Sequence, residues 1–180
     1  MAVTGLPGSG KTTLARGLAA ELGWPLIARD TIKEALGDAF GRDGDEESRR
    51  LGHAAYEVLY AVAAEVPREA IIESNFRRDS VPAVRALSRA LPIELFCSCP
   101  VALAAERYNA RARHRVHHTP VVTPRLLLTL GTPDPVDFGG PVVTVDTRSA
   151  VELQLVAAQV REAAALTTVS GVPAPVESQG

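Results

Sequence analysis

Cysteine is nearly absent, with only Cys97 and Cys99 in 180 residues. Two apart at the end of one predicted strand, they share a face without bridging, and read as buried small hydrophobes rather than a redox or metal pair. No apolar run is long enough for a membrane-spanning helix. Neither sign of charge dominates: 19 Lys and Arg against 21 Asp and Glu leave a formal net charge of −2. That balance excludes a general nucleic-acid-coating role but leaves room for a local basic cleft. No internal repeat is visible. Gly8-Ser9-Gly10 runs into Lys11-Thr12-Thr13, so the third glycine of a dinucleotide fingerprint never arrives. The rest is ordinary globular composition, 46% hydrophobic and 22% charged, in a chain sized for one domain.

What is present starts at Gly5. The run Gly5-Leu6-Pro7-Gly8-Ser9-Gly10-Lys11-Thr12-Thr13 fits Gly, four residues, Gly-Lys-Ser/Thr. Glycines at 5, 8 and 10 let the backbone wrap a phosphate chain with its N–H groups pointing inward. Lys11 reaches the β- and γ-phosphates, and the Thr12 hydroxyl ligates Mg²⁺. The following helix sets its positive end under the same anion. The loop stands where a signal peptide would lie, so a cytoplasmic protein is expected.

Short apolar runs alternate with helical patterns. Strands are predicted at Met1–Thr4, Pro25–Ala28, Ala70–Ser74, Ile93–Ser98 and Val142–Asp146. Helices are predicted at Lys11–Leu22, Thr31–Leu36, Glu46–Val66, Ser80–Ala90, Val101–Ala112 and Arg148–Ala165. That alternation implies an α/β fold, a parallel sheet covered on both faces. Thr119 to Pro141 reads as irregular, and the stretch from Thr167 onward as a disordered tail without periodicity.

Ligands in such sheets bind at the carboxyl ends of the strands. Asp30 stands after the second strand, where a carboxylate either takes the proton of an attacking hydroxyl or caps a helix. Glu73 ends the third strand, a position suited to Mg²⁺ or its water. Arg77 and Arg78 follow, as contacts to an anionic acceptor or as solvated loop charges. Arg107, Arg111, Arg113, His114, Arg115, His117 and His118 crowd one segment of a net acidic chain. Either it is a lid whose arginines pair with phosphate oxygens, or a solvated helix end. His53, Tyr56 and Tyr60 share one helix face, read as packing rather than as an acceptor pocket.

Together, Gly5 to Ala15, Arg29-Asp30-Thr31-Ile32-Lys33, Ile72-Glu73-Ser74-Asn75 and the arginine segment resemble the P-loop kinase group. That group holds polynucleotide kinase, chloramphenicol phosphotransferase, gluconate kinase and zeta toxins, AAA-type ATP-binding proteins. The resemblance covers about residues 1 to 165. It implies a three-layer P-loop NTPase fold, with a five-stranded parallel sheet flanked by helices and an arginine-rich lid at about 107–120. A kinase domain over 1–166 with a tail at 167–180 follows. It further implies Asp30 as general base, Lys33 as a contact to the acceptor, and Arg111 and Arg113 as neutralisers of the transferring phosphoryl group. The expected cofactors are ATP and Mg²⁺. The expected activity is transfer of the γ-phosphate to a hydroxyl of a small molecule, with no membrane and no obligate protein partner. A polynucleotide 5′-hydroxyl kinase is the enzymatic alternative, and a nucleotide-gated ATPase switch the alternative of another class.

Overall fold

The computed structural model describes residues 1–41, 44–88, 90–117 and 121–169. His118, the end of the expected lid, and the tail from 170 lie outside the described residues. Five strands, β1 (Ala2–Thr4), β2 (Leu26–Ala28), β3 (Ile71–Glu73), β4 (Glu94–Ser98) and β5 (Val142–Asp146), make one sheet. All its pairings are parallel, in the order β2-β3-β1-β4-β5. The central strand β1 sets Ala2 beside Ile72 and Glu94, and Val3 beside Glu73 and Leu95.

Successive strand residues point to opposite faces, and two cores result. On one face Val3, Ile71, Leu95 and Val145 pack on Leu14 and Leu18 of α1 (Lys11–Leu22) and on Val156 and Val160 of α7 (Leu153–Val169). On the other, Ala2, Ile27 and Ile72 meet Leu59 of α3 (Gly44–Glu65) and Val84 of α4 (Val81–Ala86) under Phe76 and Phe138. The expected three-layer α/β architecture is the one found. The remaining helices are α2 (Arg29–Phe40), α5 (Val101–Ala110) and α6 (Pro124–Leu130).

Helix α6 lies inside the stretch expected to be irregular. Its start is built from Thr123, whose side chain accepts the Leu126 N–H at 3.2 Å, with Pro124 in the first turn. Proline is tolerated there because its missing N–H has no intrahelical partner anyway. Helix α2 begins earlier and ends later than its pattern suggested. Helix α7 starts at Leu153 rather than Arg148 and runs past Thr167. Glu94 is fully buried at the head of β4. It accepts bonds from the Thr4 hydroxyl (2.6 Å) and from the Val136 and Asp137 N–H groups (2.8 and 2.9 Å). A buried carboxylate needs such partners, and here it clamps β1, β4 and the 132–140 loop.

Candidate active site

The phosphate loop joins β1 to α1. Gly8 has φ +83°, and a Cβ there would lie 2.1 Å from the Ala104 carbonyl oxygen, so the loop rests directly on the backbone of α5. Gly10 is the N-cap of α1 and provides no side-chain cap bond, leaving first-turn N–H groups for an anion. Ser9 is buried, with a hydroxyl lacking a partner among the described residues. Lys11 is buried, and its Nζ donates to Gly5 and Leu6 carbonyls at 3.0 and 2.9 Å. Burial lowers its pKa, opposed by the neighbouring Glu73 carboxylate. Glycine cradle, orphaned hydroxyl and buried ammonium fit a bound polyphosphate.

The Thr12 hydroxyl donates to Glu73 Oε2 at 3.2 Å. Burial pushes the Glu73 pKa up, against the pull of Lys11. These are hard oxygen ligands of the kind Mg²⁺ takes. Among the described residues no group of three His, Cys, Asp or Glu is gathered for a metal. A sparse protein oxygen set is what Mg²⁺ uses when substrate phosphates complete its shell.

A cleft of about 190 Å³ gathers Pro7, Gly8, Gly10, Lys11, Thr12, Thr13, Asp30, Glu73, Arg111 and Arg113, and adds Asn75 and Arg107. Gly5 and Ser9 are buried and do not line it. A larger cleft of about 390 Å³, bounded by Trp24, Val66, Leu91 and Ile93 among others, contains none of the expected site residues. The chemistry-bearing groups are in the smaller one. Asp30 lies in the first turn of α2, whose N-cap is Ala28, and its side chain keeps 38% of its surface exposed. It is therefore not the helix cap.

Arg107 is committed to the end of β5 through the Thr147 and Arg148 carbonyls, both at 2.8 Å. Arg111 is exposed at the end of α5 and faces the cleft. Arg113 lies with its guanidinium carbon 3.7 Å from the centroid of the Tyr108 ring. Its Nε is buried without a hydrogen-bond partner among the described residues.

The expected lid is docked along α2. His114 Nε2 and Arg115 Nη2 meet Asp38 at 3.2 and 3.3 Å, and His117 Nε2 meets Glu34 at 3.1 Å. Asp30, Glu34 and Asp38 recur every fourth residue, so one helix face carries both the expected base and the carboxylates that hold the expected lid. Val116 is buried against Gly37, where a Cβ would lie 2.5 Å from its Cγ2. The Ser48 hydroxyl donates to the Val116 carbonyl at 2.7 Å and accepts from Lys33 Nζ at 2.9 Å.

Lys33 thus departs from expectation: it is buried in this joint and does not line the cleft. Arg77 and Arg78 are exposed and do not line it either, and Arg77 donates to the Thr129 carbonyl at 3.3 Å. Tyr56 and Tyr60 stack at 6.0 Å and continue into Phe76, which is packing. Sequence reasoning missed Asn75 as a wall of the cleft and Tyr108 as the shelf under Arg113.

A family model described as the AAA domain matches residues 1–130. No curated protein matches the chain. Among solved structures, a candidate kinase from Chloroflexus aurantiacus J-10-fl is 31% identical, over 89% of this chain and 96% of that one, with a TM-score of 0.79. A gluconokinase from Sinorhizobium meliloti 1021 is 20% identical, over 94% of this chain and 91% of that one, with a TM-score of 0.53. Shikimate kinase from Acinetobacter baumannii, in complex with shikimate, is 16% identical, over 96% and 94%, with a TM-score of 0.56. The sheet and its helices match the fold of these P-loop kinases.

Proposed function

The chain belongs to the AAA-domain family, and we propose that it is an ATP-dependent kinase acting on a hydroxyl of a small molecule. The observation that carries the proposal is the meeting of Asp30, Lys11, Arg111 and Arg113 in one cleft. A switch has use for the phosphate loop but none for a carboxylate base beside it. In the proposed reaction the acceptor oxygen forms a bond to the γ-phosphorus while the bond to the β,γ-bridging oxygen breaks. The acceptor's proton passes to the Asp30 carboxylate. Lys11 and the two arginines bear on the charge spread over the equatorial oxygens, where preorganised cations act most strongly. Thr12 and Glu73 would hold Mg²⁺, which when bound neutralises phosphate oxygens.

Burial of Lys33 on Ser48 takes this cation away from the acceptor, whether a small molecule or a polynucleotide end. The test is transfer from γ-labelled ATP to pooled sugars, polyols, nucleosides and oligonucleotides. We expect a labelled small molecule, and a loss of roughly 10²–10⁴-fold in Asp30→Asn with ATP affinity kept. ATP turnover that labels no acceptor and ignores Asp30→Asn would instead identify an ATPase switch.

A further inference from the structure

Arg29 has no part in the chemistry above, yet it is held on three sides. Its guanidinium carbon lies 4.6 Å from the centroid of the Tyr56 ring. Nη1 donates to Asp30 Oδ1 at 3.3 Å, and Nη2 donates to the Gly52 carbonyl at 3.2 Å. Only 17% of the side chain is exposed, and its Nε is buried with no partner among the described residues. Burying a guanidinium with an N–H unpaired opposes folding. Stability alone therefore does not account for the arrangement.

Neighbouring residues on a helix point about 100° apart, so an i,i+1 pair has no built-in contact. Arg29 and Asp30 meet because α3 takes hold of the arginine from the side. Gly52 and Tyr56, one turn apart on α3, form a notch and a shelf. A Cβ at position 52 would lie 2.7 Å from Nη2, so the notch depends on the missing side chain. The shelf is itself fixed: the Tyr56 oxygen accepts from the Ser74 hydroxyl at 2.8 Å, and its hydroxyl donates to the Asn75 carbonyl at 3.3 Å. Those two residues directly follow Glu73, so the brace is anchored at the end of the strand whose last residue lines the cleft.

We infer that Arg29 is a positioning residue that aims the Asp30 carboxylate into the cleft, with the Tyr56 ring as its shelf and the bare Gly52 as its notch. Oδ1 is engaged by the arginine, which leaves Oδ2 as the oxygen to receive the acceptor's proton. This rests on the kinase reading with Asp30 as base.

The probe is phosphate release from γ-labelled ATP by the full chain, with water as the acceptor, so that no natural acceptor needs to be known. Arg29→Gln should slow release on the order of 10²-fold, the usual consequence of a base displaced by about 1 Å. Its affinity for a non-hydrolysable ATP analogue should stay as in the wild type. Arg29→Lys should recover only part of the rate, because an ammonium keeps the charge but loses the planar fork. Gly52→Ala keeps the arginine and displaces its far end, and alanine is the better helix residue. It should melt no lower than the wild type and still release phosphate roughly 10-fold more slowly.

In an Asp30→Asn background both Arg29→Gln and Gly52→Ala should do nothing further, since both act through the same carboxylate. Additional slowing in that background, or a wild-type rate in Gly52→Ala, overturns the inference. The two failures separate cleanly. If Asp30→Asn is slow while Arg29→Gln and Gly52→Ala are normal, only the role of Arg29 falls. If Asp30→Asn itself runs at the wild-type rate, the base reading falls and takes this inference with it.

Discussion

Alanine at position 8 should cost both stability and the nucleotide site, and the size of the loss follows from two separate strains. Gly8 sits at φ +83°, where a residue with a Cβ costs about 1–2 kcal/mol. The new methyl would also lie 2.1 Å from the Ala104 oxygen and 3.1 Å from the Tyr108 nitrogen. Both are backbone atoms of α5, so no rotamer change relieves the contact. Overpacking of this kind costs about 1–3 kcal/mol, which brings the total to about 2–5 kcal/mol. Gly23 supplies the control. It has φ +69° but nothing within 4 Å of its added Cβ, so Gly23→Ala should lose only the backbone part, about 1–2 kcal/mol. Urea unfolding measures both variants, and calorimetry with an ATP analogue measures the loop. Gly8→Ala should lose more stability than Gly23→Ala and bind the analogue far more weakly, while Gly23→Ala binds normally. Equal stability losses with intact analogue binding in Gly8→Ala would refute the packing of the loop on α5.

Burial raises the Glu73 pKa above its ordinary 4.5, so ionised Glu73 opposes folding increasingly as pH climbs through that raised value. Glu73→Gln should therefore match the wild type in urea near about pH 4 and exceed it near about pH 7.5, while phosphoryl transfer falls; a pH-independent difference refutes this. Arg113→Lys keeps a charge but loses the fork and the Tyr108 stack, so kcat should drop by roughly 10–10²-fold with KM for ATP unchanged. A raised KM with normal kcat would make Arg113 a ground-state binder. His117 has its pKa lowered from 6.5 by burial, against the pull of Asp30 and Glu34, so the docked lid favours neutral imidazole and loses stability as pH falls below about 6.5. Amide exchange at Val116, corrected for intrinsic rates, should be faster near about pH 5.5 than near about pH 7.5 in the wild type and lose that contrast in His117→Gln.

The strands and the phosphate loop were legible because their signals are local: short apolar runs, and glycines at fixed spacing before Lys11-Thr12. What escaped depended on distant partners. Gly37 looked like the end of a helix, yet α2 continues to Phe40, and the space a side chain at 37 would fill is taken by Val116, far along the chain. Lys33 was expected at the acceptor from the family resemblance, but nothing local indicates that Ser48 takes its ammonium. Helix α6 was overlooked although Thr123-Pro124 is a recognisable start; the surrounding prolines masked it. Glu94 lies inside the predicted strand Ile93–Ser98 with no local sign of its role, since its three donors come from β1 and from a loop some forty residues on.

The packing of α1 against α7 bears on how the protein is made. Arg161 donates to the Glu21 carbonyl at 3.2 Å across 140 residues of chain, and Leu14 and Leu18 find Val156 and Val160 across a similar span. On the ribosome, α1 and the phosphate loop emerge long before the helix that covers their apolar side. At about 5–20 residues per second the wait is on the order of ten seconds. During that interval Leu14 and Leu18 lack the covering α7 supplies, and transiently exposed apolar surface of this kind favours aggregation. A contact of such high sequence separation also delays closure after release. The helix whose first turn would cradle the nucleotide is thus among the last elements to be locked in place.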